Sequence, residues 1–269
     1  MRLSSLSASA LIGSLALMRC AQPEAPAPAP MLKMPKAIID LSPTIGEDFP
    51  VVALGERAVA SFGMAPRTRF EVNVIEEPFY AGEAVYCLSN HVGPHYDPPS
   101  HVIKGAASSD HAPLEKFFGK AKLFDFRSKP KDEPLMRADF ENRGIEPGDI
   151  VLVVVGYQAP TGPEDLPSYA YLSGEAAEYL AQVPIKAFAS DMPSLGSMKG
   201  YGTLIEQGMK GSESILPEHI AFLSRDIPNI EGLVNLESLV GEEEVVFVGF
   251  PLKIKDGNGA PMRAAALIY

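Results

Sequence analysis

Cysteine is scarce in this chain. Its 269 residues include only two, Cys20 and Cys87. Two thiols can build neither a disulfide framework nor a cysteine-rich zinc site. Cys87 lies in Val85-Tyr86-Cys87-Leu88, which predicts a buried strand and a packed, apolar thiol; a catalytic thiol beside His91 is the other reading. Tryptophan is missing. Positive charge is in the minority, with 23 Lys and Arg against 34 Asp and Glu and a formal net charge of −11. That balance argues against nucleic acid or an anionic membrane surface as the main partner. No G-x-S-x-G elbow occurs, which disfavours a serine hydrolase. Gly200-Tyr201-Gly202 lacks the third glycine of a dinucleotide fingerprint.

The stretch Leu3 to Met18 is uncharged, small and apolar. It is too short and too serine-rich for a transmembrane span but suits the hydrophobic region of a secretory signal. Leu17-Met18-Arg19-Cys20 resembles a bacterial lipoprotein cleavage box, with Arg19 an unusual residue before the cysteine. The alternating Pro and Ala of residues 23–30 read as an extended linker. The expected organisation is a leader over 1–20, an Ala/Pro-rich linker over 21–36 and one domain over 37–269. Such a chain is exported, periplasmic or tethered to the membrane through an N-terminal lipid. The other reading is an over-long start, with translation from Met31 or Met34 and a cytoplasmic protein.

What is present is histidine in one place. Three of the five histidines fall between His91 and His101, in His91-Val92-Gly93-Pro94-His95-Tyr96-Asp97-Pro98-Pro99-Ser100-His101. Gly93, Pro94, Pro98 and Pro99 exclude a helix. In an extended segment side chains alternate faces, so His91, His95, Asp97 and His101 are expected to point one way. Imidazole nitrogen and carboxylate oxygen are ligands for zinc and similar divalent ions. A metal site at the end of the preceding strand is therefore expected, against the blander possibility of a polar loop.

The apolar pattern predicts strands at Ala37–Leu41, around Phe70-Val72-Val74 (half-buried), at Glu83–Asn90, Lys120–Phe126, Ile150–Val155, Ile185–Ala189, Val245–Val248 and Met262–Ile268. Ile150–Val155 is continuously apolar and reads as buried on both faces. Helices are expected from Ser173, a plausible N-cap, to Leu180, and from Pro217 through His219, with a turn or two over Arg137–Arg143. Asp256-Gly257-Asn258-Gly259 is hairpin-turn chemistry. Strands outnumber helices, which suggests an α/β or α+β layered domain rather than a doubly wound sheet.

The eleven-residue motif, H-x-G-x-H-x-D-x-P-x-H, resembles the signature of the cyclase family of metal-dependent hydrolases, which includes kynurenine formamidases and isatin hydrolases. Further segments are similar to that family: Ile39-Asp40-Leu41-Ser42, the Pro147-Gly148-Asp149 turn before an apolar strand, Ser190-Asp191-Met192-Pro193-Ser194, and His219 followed twelve residues later by Glu231 in Glu231-Gly232-Leu233-Val234-Asn235-Leu236. The resemblance implies a swivelling β/β/α fold in a homodimer or higher homo-oligomer. It implies metal ligation by His91, His95 and Asp97, with His219 and Glu231 completing the site, and one or two zinc or manganese ions per chain. It implies that His101 gives and takes protons; as a residue alone, His101 could equally be a further ligand. The implied activity is hydrolysis of an amide, arylformamide or lactam by metal-activated water. The alternative is an exported metal- or small-molecule-binding protein that has kept the fold without turnover. Departures from the family pattern are Pro94 before the second histidine, the missing tryptophan and a long segment from Met198 to Ile215; the last two point away from kynurenine formamidase itself. His111 has no role.

Overall fold

The computed structural model describes residues 33–46, 69–75, 77–158 and 167–269. The proposed leader and nearly all of the proposed linker lie outside them. Met34–Tyr269 forms one compact unit. Its frame is a nine-stranded mixed sheet. The strands are β1 (Ala37–Asp40), β4 (His95–Asp97), β5 (Phe118–Asp125), β7 (Ile150–Val154), β9 (Ala187–Ser190), β10 (Asn229–Glu231), β11 (Val245–Val248), β12 (Ala260–Pro261) and β13 (Ala265–Ile268). Their order in space is β1-β13-β11-β5-β7-β9-β10-β4-β12. The centre, β5-β7-β9-β10, is parallel, and the flanks are antiparallel. Outside this sheet, β2 (Arg69–Ile75) pairs with β3 (Ala81–Cys87), and β6 (Pro134–Leu135) with β8 (Tyr171–Leu172). The helices are α1 (Gly174–Gln182), α2 (Met198–Glu206), α3 (Ser212–Ile215) and α4 (Pro217–Leu223).

The continuous apolar run of β7 has its explanation in two cores. Val151 and Val153 face one, with Phe188, Leu180 and Phe222. Ile150, Leu152 and Val154 face the other, with Phe117, Leu236 and Phe247. A strand covered on both sides has no polar face to keep, so alternation disappears. The helices lie on the first face. Ser173 caps α1 by accepting from Ala176 N–H at 3.1 Å, and Ala176, Ala177, Leu180 and Ala181 form its buried stripe. Pro217 starts α4, where a missing N–H costs nothing. Arg137–Asp139 is one 3-10 turn.

The β2–β3 region corrects two expectations. The strands exist, but they are not half-buried or buried. Val72 is 64 % exposed, Val85 53 % and Tyr86 59 %, and Cys87 is exposed as well. Among the described residues the two strands pair only with each other, in register from Arg69–Cys87 to Ile75–Ala81. A two-stranded ribbon with no third strand among the described residues leaves its apolar side chains open. The apolar reading of Cys87 as packed interior falls with this.

The candidate metal centre

The motif after β3 is not one extended segment, which corrects the sequence expectation. His91 sits in a turn, His95 and Asp97 on β4, and His101 at the end of a 3-10 turn, Pro99–His101. Two-residue periodicity accounts only for His95 and Asp97, which share a face of β4. The prolines and Gly93 bring the outer histidines back. Ring centroids of His91 lie 5.0 Å from His95 and 4.6 Å from His101. Gly93 has φ +57° and Gly232 has φ +73°. A side chain on Gly232 would sit 2.6 Å from Gly93 O, so the two distant motifs meet backbone to backbone, a contact that requires glycine.

Register then assembles the rest. β10 runs antiparallel to β4, with Asn229 opposite Asp97 and Glu231 opposite His95. Odd-numbered residues of both strands share one face, while Ile230 and Tyr96 turn into the opposite core. His219 arrives from α4. His95 Nε2 lies 3.5 Å from both Asp97 Oδ1 and Glu231 Oε2. His219 Nε2 lies 3.3 Å from Glu231 Oε1 and 3.8 Å from Asp97 Oδ2. His91 Nδ1 lies 3.0 Å from Asp97 Oδ1. Two groups of potential ligand atoms, each within 4.8 Å of one another, share Asp97: His91-Asp97-His101 and His95-Asp97-Glu231. All six expected site residues thus converge. His219 is 2 % exposed and so is not a helix-surface residue. His111 stands apart on an exposed turn, its side chain 69 % accessible.

Asn229 was not anticipated. Fully buried, it donates from Nδ2 to Asp97 Oδ2 and to Glu231 Oε1, both at 2.8 Å. Leu195 N–H donates to the same Glu231 oxygen at 3.0 Å, and His95 Nδ1 lies 2.9 Å from Gly93 O. The polar-apolar-polar spacing of Asn229-Ile230-Glu231 was the available signal. Asp191, within the family-like Ser190–Ser194 segment, takes another job. Its carboxylate accepts N–H bonds from Val155, Gly156 and Tyr157 at 2.8–3.1 Å, tying β9 to the end of β7.

Burial penalises every charge here, yet the groups charge one another. Burial pulls the His95 imidazolium down, but the Glu231 hydrogen bond and the Asp97 and Glu231 charges outweigh it, lifting its pKa to about 9. His219 is raised against burial by the same pair. Burial pushes Asp97 up, and the surrounding histidines hold it well below the usual carboxylate range. His101 lacks a comparable partner; burial dominates and lowers it to about 4. It is therefore neutral at pH 7. Asp97 Oδ1, His101 Nδ1 and His219 Nδ1 are buried without any hydrogen bond of good geometry. Buried acceptors without donors are costly. Three imidazoles and two carboxylates around an unsatisfied oxygen fit a divalent cation, which these residues suit in donor chemistry.

A family model described as "Putative cyclase" matches residues 39–197, which include the histidine motif. The chain belongs to the cyclase family. A kynurenine formamidase of Salinibacter ruber is 27 % identical over 179 residues, 66 % of this chain and 76 % of that protein. An isatin hydrolase of Roseibium aggregatum is 24 % identical over 257 residues, 86 % of this chain and 91 % of that one. Among solved structures, isatin hydrolase A from Labrenzia aggregata superposes with a TM-score of 0.68 at 23 % identity, covering 86 % of this chain and 93 % of that one. A structure described as a potential metal-dependent hydrolase with cyclase activity gives 0.62 at 22 % identity, covering 87 % and 98 %. The nine-stranded α/β domain is thus the cyclase-family fold.

Proposed function

We propose that the chain is a metal-dependent hydrolase that cleaves a non-peptide C–N bond, in a small-molecule amide, arylformamide or lactam. The observation that carries this reading is the buried cluster in which His91, His95 and His219 converge on the Asp97 and Glu231 carboxylates. The relatives' activities, formamide and isatin hydrolysis, supply the substrate class. A zinc or manganese ion held there supplies a lowered water pKa and polarises the substrate carbonyl. The five residues would hold it, one ion through His91, His95 and Asp97, or two with His219 and Glu231 added. Asp97 belongs to both groups of neighbouring ligand atoms, one with His91 and His101 and one with His95 and Glu231, so its carboxylate would serve either arrangement.

His101 moves the proton. Its burial keeps the imidazole neutral at pH 7, so it can accept the proton of the attacking water and return it to the departing nitrogen. The Asp97 and Glu231 carboxylates stay ionised and fixed by Asn229. No separate nucleophilic side chain is required.

The same reading extends to assembly and location. The exposed apolar ribbon of β2 and β3, with Phe79 and Tyr80 at its tip 61 % and 79 % exposed, suits burial against a second copy in a homodimer or larger homo-oligomer. Among the described residues no helix is long and apolar enough to cross a membrane. Export or a lipid tether rests on the leader and linker composition alone. The experiment that tests the function is hydrolysis of N-formylkynurenine, isatin and a panel of amides and lactams by full-length protein, stripped with a chelator and restored with zinc or manganese. Turnover of at least one of them that depends on restored metal supports it; inactivity on all of them with either metal sinks it.

A further inference from the structure

Three tyrosine and glutamate side chains meet at a glycine next to the metal centre. Gly196 O accepts from Tyr169 Oη at 2.7 Å. Gly196 N–H donates to Tyr201 Oη at 2.9 Å. The Tyr201 hydroxyl then donates to Glu218 Oε2 at 3.1 Å. Glu218 is the residue before His219 on α4. One residue before the glycine, Leu195 N–H holds Glu231 Oε1. Tyr169, Tyr201 and Glu218 are all buried. A side chain at 196 would collide with Tyr201 Oη and come within 2.7 Å of Glu218 Oε1, so the glycine is required for the two groups to reach it. A buried hydroxyl is costly unless both its lone pair and its proton are used, and here both are.

We propose that Tyr201 is a positioning residue of the metal centre. Its hydroxyl accepts from Gly196 N–H and so fixes the Leu195-Gly196 peptide, and with it Leu195, whose own N–H orients Glu231. Through Glu218 the same hydroxyl fixes the turn of α4 that presents His219. Tyr169 grips the glycine from the other side. Both residues from the distant half of the centre therefore hang on one oxygen supplied by α2, a helix outside the two ligand motifs. The ring of Tyr201 packs in the helix-side core, and phenylalanine would keep that packing while losing the hydroxyl. This inference rests on the metal reading above.

The test is cobalt(II) titration of chelator-stripped full-length protein, read by the visible absorption of the bound ion. Tyr201→Phe should raise the cobalt Kd about tenfold or more and alter the absorption band, the size of effect expected when groups that orient ligands are removed. Tyr169→Phe should shift Kd in the same direction, and it decides the matter if Tyr201→Phe does not fold. Phe247→Leu, in the core on the other face of the sheet, should lower the melting temperature and leave Kd unchanged. That contrast separates positioning from general loosening. A cobalt Kd for both folded tyrosine variants within about twofold of wild type overturns the clamp while leaving the metal reading intact. Wild-type protein that binds no cobalt overturns both.

Discussion

Asn229→Leu removes one amide and keeps the volume, and its effect can be worked out from the geometry. The Asn229 Nδ2 hydrogens go one each to Asp97 and Glu231, at 2.8 Å. Both acceptors are buried carboxylates. A hydrogen bond to a charged group contributes about 1.5–3 kcal/mol, so losing two costs about 3–6 kcal/mol. A domain has about 5–15 kcal/mol in total. The Asn229 Oδ1 atom is buried with no hydrogen-bond partner, so removing it offsets about 1–3 kcal/mol of that loss. Urea unfolding of chelator-stripped protein at pH 7 should show a net loss of about 2–3 kcal/mol. Metal affinity should also fall, by about 10–100-fold, because the two carboxylates lose the group that spaces them. A stability loss under about 1 kcal/mol would mean that the paired carboxylates do not depend on that amide.

Three other outcomes follow from the same centre. In metal-free protein His95 has a folded pKa of about 9 against about 6.5 unfolded, so its contribution is complete below pH 6.5 and is lost as pH rises to 9. His101, lowered to about 4, acts oppositely, losing stability as pH falls from 6.5 to 4; each spans about 3 kcal/mol, and metal-free stability measured by urea should peak near pH 6.5. His101→Ala should retain metal in elemental analysis and cut turnover about a hundredfold or more; retained turnover would reassign His101 as a ligand or a packing residue. His219→Ala should lower metal content from near two ions per chain to near one, whereas His95→Ala should remove most of it; one ion in both wild type and His219→Ala would exclude the two-metal arrangement.

How far the sequence reached depends on whether a residue's role is local. Ser173 at the helix cap, Pro217 at a helix start and the two-faced apolar run of β7 were legible because each is decided within a few residues. The cluster from His91 to His101 was legible as chemistry but not as geometry: the residues converge through a turn, a three-residue strand and a 3-10 turn. His219 and Glu231 were reached through the resemblance, since nothing near them in the chain marks them as ligands. Asn229 and Tyr201 were missed because their roles arise from strand register and from a loop packed against another helix. Val85-Tyr86-Cys87-Leu88 misled for a related reason. An apolar run reports that a surface avoids water, not which surface covers it.

Whether an ion held by this cluster carries the hydrolysis is decided by adding zinc or manganese stepwise to chelator-stripped wild-type protein, with bound metal and hydrolysis of the best substrate measured on the same samples. Turnover should be absent in the stripped protein and should rise with bound metal until the site is full. Undiminished turnover in the stripped protein, or a filled site with no turnover on any amide or lactam offered, would contradict that role for the ion.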